Sequence, residues 1–384
     1  MKVAVTLILL GAMAACADGS DEGLGASSGA LSLQEPCASD QTFTAWCGYK
    51  NPEDLAPTPD GKFLLATGFG GIPDPVLNEI TLTDLGSMER RVVEIVLAEN
   101  TWGSASCART TTDFSTHGLD IVQRHDGRHM VAMTNHLPAE TVELFELAPV
   151  DSLWQLVWRG CVEAPSLNSG AHLPLFNDVA LTAEGSFYVT EMYNGKMPFE
   201  ALIQAGLTGA NTGQVWQWSL PDGFRQVTGT EGSFPNGIVL STDASALYIN
   251  YWFSGLTTKF DLGTGAVVGS HQGGRADNLT MANGSVWAAK HDMSVAEYLE
   301  GCPVEAANCF LPFSVHRLDL DDLREQRVWR FDSQAFGFGT VATPVGEHVW
   351  LGSAHGDRIA RFDLKDRRSA EEFGCKSSQV MPST

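Results

Sequence analysis

The chain has 384 residues, with 24 basic against 46 acidic side chains and a formal net charge of −22 at pH 7. That balance argues against nucleic acid as a partner and against adhesion to anionic lipid by charge. Its 39 Gly, 10 Trp and 19 Phe, with few long helical periodicities, predict an all-β fold of many short strands.

The first feature along the chain is an export signal over residues 1–15. Lys2 precedes the apolar run Val3 to Ala12 and then Met13-Ala14-Ala15-Cys16, a pattern too short for a stop-transfer helix. The small pair ahead of Cys16 resembles a bacterial lipobox, so Cys16 is the expected lipid anchor and the expected tie to a membrane. Ala17 follows it where Asp would mark retention, which by resemblance to lipoprotein sorting favours the outer membrane, facing the periplasm or the cell surface. Residues 16–45 read as a flexible acidic tether, 46–375 as one folded domain and 376–384 as a tail. Seven cysteines follow Cys16, an odd number that suits an oxidising compartment with one thiol left over. Cys302 with Cys309 and Cys107 with Cys161 are expected pairs, and Cys375 is expected to reach back to Cys37 or Cys47. No Cys-x-x-Cys occurs, which argues against thiol redox chemistry or a cysteine zinc site.

From residue 53 onward one pattern recurs: a polar or glycine pair, a short β-rich run, a turn, and a second β-rich run. Asn177-Asp178 precedes Val179 to Leu181, the turn Ala183-Glu184-Gly185-Ser186 and the strand Phe187 to Thr190. Glu53-Asp54, His117-Gly118, Asn236-Gly237, Asp277-Asn278 and Gly339-Thr340 head similar hairpins. Asn and Asp are strand-poor, so each pair is expected at the entrance of its strand. The pairs fall at 54, 118, 178, 237, 278 and 340, at intervals of 64, 60, 59, 41 and 62 residues. Such intervals suit four-stranded blades, and six of them predict a six-bladed β-propeller.

In such a ring the innermost strand of each blade begins beside a central channel. Glu53, Asn177, Asn236, Asp277 and Asn278 would then converge, all of them oxygen donors. Calcium takes about six to eight oxygen ligands, so the channel is expected to bind Ca²⁺. Zinc would ask for His or Cys there, and magnesium for a tighter octahedron. His117 stands at one of these channel positions, while His136, His291 and His355 each end the second strand of a hairpin. His125, His129, His172, His271, His316 and His348 have no such placement and are expected at the surface.

These segments, in this order and register, resemble the paraoxonases, calcium-dependent lactonases and arylesterases with a six-bladed propeller. The match runs from about Cys47 to Asp363 through Glu53-Asp54-Leu55, His117-Gly118-Leu119, Asn135-His136, Leu173-Pro174 with Asn177-Asp178, Asn236-Gly237-Ile238, Asp277-Asn278-Leu279 and Thr340-Val341-Ala342. The resemblance implies two calcium ions. Glu53, Asn177, Asn236, Asp277 and Asn278 would hold a catalytic one, and Asp54, Asp178 and the Leu119 carbonyl a deeper structural one. It also implies His117 as general base on water, with His136 relaying the proton. Imidazole titrates near neutral pH, which suits that role. Glu191-Met192-Tyr193 stands where the family carries another histidine, so the rim differs, and Tyr193, His291 and His355 are the expected substrate-pocket residues.

The function expected is hydrolysis of a small-molecule lactone or carboxylic (aryl) ester. Two alternatives stand beside it: a gluconolactonase-like sugar lactonase, and a non-catalytic ligand-binding propeller, because fold alone does not choose chemistry. The Asp277-Asn278 pair and the His117 and His136 signals favour the first reading. Oligomeric state is not addressed by any of these features.

Overall fold

A computed structural model describes residues 37–303 and 306–365. The expected export signal with Cys16, most of the expected tether, Cys375 and the expected tail lie outside the described residues. No helix among the described residues is long and apolar enough to cross a membrane.

Six sheets follow one another along the chain as the blades of a propeller. Blade 1 holds strands Pro52–Pro57, Phe63–Gly68, Ile80–Asp84 and Arg90–Val92. Blade 2 holds Thr116–Gln123, His129–Asn135, Thr141–Val150 and Leu153–Glu163, with Ile95–Leu97 added in parallel at its edge. Blade 3 holds Pro174–Leu181, Phe187–Asn194, Val215–Ser219 and Gly223–Gln226. Blade 4 holds Pro235–Leu240, Ala246–Tyr251, Leu256–Asp261 and Ala266–Gln272. Blade 5 holds Arg275–Ala282, Ser285–His291, Phe313–Asp319 and Glu325–Phe331. Blade 6 holds Gly339–Val345, His348–Ser353 and Arg358–Asp363.

The ring closes across its two ends, because Thr44–Cys47 pairs with Arg358–Asp363 and becomes the outermost strand of blade 6. Folded structure therefore begins inside the stretch read as tether, where Phe43 and Ala45 are buried. Cys47 is disulfide-bonded to Cys37, which corrects the expected pairing of either with Cys375. Cys107–Cys161 and Cys302–Cys309 are bonded as expected.

The apolar core lies between blades, since each sheet is covered on both faces. In the second strand of blade 1, Phe63 and Leu65 pack toward blade 2, while Leu64 and Ala66 pack toward Trp350 and Val341 of blade 6. This is the period-two alternation of a strand with two buried faces. A strand of this kind reads as a continuous hydrophobic run.

Gly339-Thr340 opens its strand as expected, but the other five pairs stand inside theirs. Asn177-Asp178 lies within Pro174–Leu181, where the pairing register slips between Phe176 and Val179. Equivalent slips occur at Pro52/Asp54, Thr116/Leu119, Pro235/Ile238, Ala276/Leu279 and Gly339/Val341. A bulge leaves an extra residue unpaired and re-aims its side chain. That is how strand-poor Asn and Asp are accommodated inside a sheet.

Two helices were not foreseen. α1 (Phe199–Leu207) and α2 (Val295–Gly301) are inserted between the second and third strands of blades 3 and 5. α2 starts on a capping box of Ser294 and Glu297, a pairing that satisfies two otherwise orphaned amides. Phe199, Leu202 and Ile203 of α1 and Val295 and Tyr298 of α2 join one apolar cluster with Phe234, Trp252 and Phe338.

Candidate active site and metal centre

Five of the six bulges are pinned by a neighbouring blade. Thr67, Thr134, Thr190 and Asn250 occupy the same register in the second strands of blades 1 to 4, and each donates to a carbonyl in the next blade. The acceptors are the carbonyls of His117, Asn177 (2.6 Å), Asn236 (2.6 Å) and Asp277. Thr340 donates likewise to the carbonyl of Glu53 at 2.6 Å. The backbone of every residue aimed at the channel is thus fixed from the adjacent blade. Glycine is required beside two of them: a Cβ at Gly118 would meet Asp178 Oδ1 at 2.4 Å, and one at Gly237 would meet the Asp277 carbonyl at 2.6 Å.

The expected ligands do converge. Glu53, His117, Asn177, Asn236 and Asp277 line one cavity of about 490 Å³, and all are buried, as is Asn278. Asn278 Nδ2 donates to Glu53 Oε1, 2.6 Å away, and Asn236 hydrogen-bonds the Asp277 carboxyl. Asn177 Nδ2 lies 3.3 Å from His117 Nε2, which lies 3.8 Å from Glu53 Oε1. Among the described residues Glu53 Oε2 and the Oδ1 atoms of Asn177, Asn236 and Asn278 have no hydrogen-bond partner. Buried polar atoms are normally satisfied. Four orphaned oxygen acceptors gathered at the ends of neighbouring blades are the kind of donor set a hard cation takes, so the residues fit calcium. Burial first, then the charges of Asp54 and Asp277, push the Glu53 carboxyl well above its ordinary value.

Beneath this set, Asp54 and Asp178 stitch blades together. Asp54 accepts the amides of Leu55 and Leu119, and Asp178 those of Val179 and Ile238, each at 2.8 Å. At Leu119 the group given to Asp54 is therefore the N–H. Each carboxylate oxygen keeps a further lone pair, so the two can hold an ion without requiring one. Burial raises Asp54 to about 7 and, together with the charge of Asp54, lifts Asp178 well above the carboxylate range.

The histidines form a directed chain. His117 Nδ1 is 3.1 Å from His136 Nε2, and His136 Nδ1 is 2.9 Å from Glu140 Oε2. Glu140 Oε1 also accepts the Phe176 amide at 2.8 Å. A carboxylate only accepts, so His136 carries its proton on Nδ1, its Nε2 accepts from His117 Nδ1–H, and His117 Nε2 is left with a lone pair. That lone pair accepts from Asn177 Nδ2 and faces Glu53 Oε1. Burial, then His136, holds His117 well below the ordinary imidazole range. Glu140 was missed from the sequence; its signal was an acid four residues after His136.

The expected pocket residues divide. His355 lines the cavity, with Nε2 2.6 Å from the Ala306 carbonyl. Tyr193 stands behind the wall, stacked on Phe234 with ring centroids 5.9 Å apart. His291 is a support: Trp252 Nε1 donates to its Nδ1 at 3.1 Å, and its Nε2 faces Asp277 Oδ2 at 3.4 Å. Among the histidines expected at the surface, His316 is 2% exposed, because His271 of blade 4 and Ser314 of its own strand pack against it. The cavity walls above the donors are Phe69, Ile72, Phe199, Leu202, Trp252, Tyr298 and Phe338, and neither Lys nor Arg lines it among the described residues.

No protein-family model matches the chain, and no curated protein matches it. Several solved structures are similar in shape. A luciferin-regenerating enzyme is 12% identical with a TM-score of 0.49, over 84% of this chain and 95% of that one. A gluconolactonase from Xanthomonas campestris is 14% identical with a TM-score of 0.47, over 84% and 89%. A calcium-binding regucalcin from Agrobacterium tumefaciens is 14% identical with a TM-score of 0.44, over 84% and 93%. At such identities and scores the likeness does not decide the chemistry.

Proposed function

We propose that this propeller is a paraoxonase-like, calcium-dependent hydrolase of apolar lactones or aryl esters. One observation carries the reading: four orphaned oxygen acceptors stand beside a histidine whose unprotonated Nε2 accepts only a long 3.3 Å contact from Asn177 Nδ2, at the floor of an apolar cavity. Glu53, Asn177, Asn236, Asp277 and Asn278 would hold calcium, and Asp54 and Asp178 a second ion. When bound, the upper ion would supply a Lewis acid for the substrate carbonyl and the charge that develops on it.

The chain's own groups supply the rest. His117 Nε2 takes a proton from water as the water oxygen attacks the acyl carbon. His117 Nδ1–H moves toward His136 Nε2, and Glu140 holds the His136 imidazolium that results, as a carboxylate does behind a catalytic histidine. The relay then reverses, and the proton taken up on His117 Nε2 passes to the leaving alkoxide or phenoxide as the C–O bond breaks. Walls of Phe, Leu, Ile and Trp suit an alkyl or aryl substituent, whereas a sugar lactone would find only Asn51, Asp74, Tyr298 and His355 for its hydroxyls beyond the donor set. This favours the apolar reading over a sugar lactonase.

The test is a turnover panel with calcium-loaded protein: an alkyl-substituted lactone, an aryl ester and a gluconolactone. Preference for the first two supports the proposal, and turnover of gluconolactone alone would favour the sugar lactonase. No turnover of any would leave a binding propeller.

A further inference from the structure

On their outer strands, blades 4 and 5 bring a second donor cluster together. His271 lies in the outermost strand of blade 4, and His316 and Glu325 in the third and fourth strands of blade 5. His271 Nε2 is 3.2 Å from His316 Nδ1, and Glu325 Oε2 is 3.8 Å and 3.4 Å from those two nitrogens. Ligands about 2.0–2.1 Å from a tetrahedral zinc stand about 3.3–3.4 Å from one another. The three atoms already have nearly that spacing.

The tautomer of His316 is set by what lies behind it. Ser314 Oγ donates to Asp292 Oδ1 at 3.0 Å, so its one proton is committed, and it must accept from His316 Nε2–H at 2.9 Å. His316 Nδ1 is therefore the bare nitrogen, and it faces His271 and Glu325. An imidazole whose far N–H is tied through a hydroxyl to a carboxylate is the usual support of a metal-bound histidine. Two nitrogens and one carboxylate suit a late divalent transition ion and not calcium or magnesium. Lys290 and Arg330 also face the cluster, offset by Asp292 and Glu325. The Glu325 side chain is 45% exposed, which leaves the fourth position open to water.

We propose that His271, His316 and Glu325 bind one zinc ion that clamps blade 4 to blade 5, separate from the calcium chemistry of the channel. The experiment uses the full chain, stripped with chelator and reloaded with calcium, then titrated with zinc chloride by calorimetry and with cobalt(II) by visible absorption. One zinc and tetrahedral cobalt bands are expected. His271→Gln and Glu325→Gln should each lower zinc affinity by at least about tenfold, and Ser314→Ala by about 10–100-fold, with calcium affinity unchanged. Both His271 and Glu325 are partly exposed, so these variants should fold even if His316→Gln does not. Absence of zinc binding in the wild type, or a loss smaller than tenfold in His271→Gln, would overturn the proposal.

Discussion

Removing calcium should cost the ring stability, and Asp277→Asn should return part of it. Four buried acceptors have no partner within the protein. At about 1–3 kcal/mol for each one left unpaired, about 4–12 kcal/mol is the upper bound on what an ion or water there can recover, against a total stability of about 5–15 kcal/mol. The loss seen in solution is set by mass action: calcium at a hundredfold excess over its Kd stabilises by about 2.7 kcal/mol. At about 2 °C per kcal/mol for a large domain, that is a melting shift of about 5 °C. Asp277 adds to the repulsion around Glu53, so Asn at that position relieves the chelated protein while weakening the loaded one. Scanning calorimetry of both proteins, with excess calcium and with excess chelator, measures all four melting temperatures. The variant should melt higher than wild type in chelator and lower in calcium. Identical melting of the wild type with and without calcium, or a variant that is equally destabilised in both, would refute the reasoning.

Other outcomes follow from the relay and from the pins. Glu140→Gln replaces an obligate acceptor with a group that can donate, so His136 can take the wrong tautomer; kcat should fall by about 10²–10⁴ with KM and calcium affinity little changed, and an unaltered kcat would remove the relay. His117 is held below the ordinary imidazole range by burial and then by His136. A base with a lowered pKa is lost only as pH falls through that lower value, so kcat/KM should stay level through about pH 6.5 and decline below it; an acid limb centred at or above that value contradicts the assignment. Thr134→Val leaves the Asn177 carbonyl without its 2.6 Å donor. It should cost about 1–3 kcal/mol in denaturant unfolding and weaken calcium binding, and a neutral result would show that the pin does not matter.

The ring was legible because a propeller repeats itself: the turns and polar pairs recur at intervals that carry one blade each. The oxygen donors were legible for the same reason, since one shared register forces them toward one axis. What escaped depends on contacts between blades. Thr67, Thr134 and Thr190 read as ordinary β-formers until their hydroxyls are seen on the carbonyls of the next blade. Glu140 sits in a loop outside the repeat, and only its contacts with His136 and the Phe176 amide give it a role. His316 looked like a surface residue because its neighbour, His271, lies 45 positions away in the adjoining blade. The bulges were hidden too, because strand-poor residues before a β-rich run read equally well as a turn.

The most direct test of the central idea is lactone turnover by one preparation in three states: calcium-loaded, chelated, and reloaded. It is run beside His117→Gln with its calcium content measured. Turnover should vanish with chelation and return with calcium, while His117→Gln keeps the metal and loses at least about 10²-fold in rate. Turnover that survives chelation, or a His117→Gln protein as fast as wild type, would contradict the assignment of this channel as a calcium hydrolase centre.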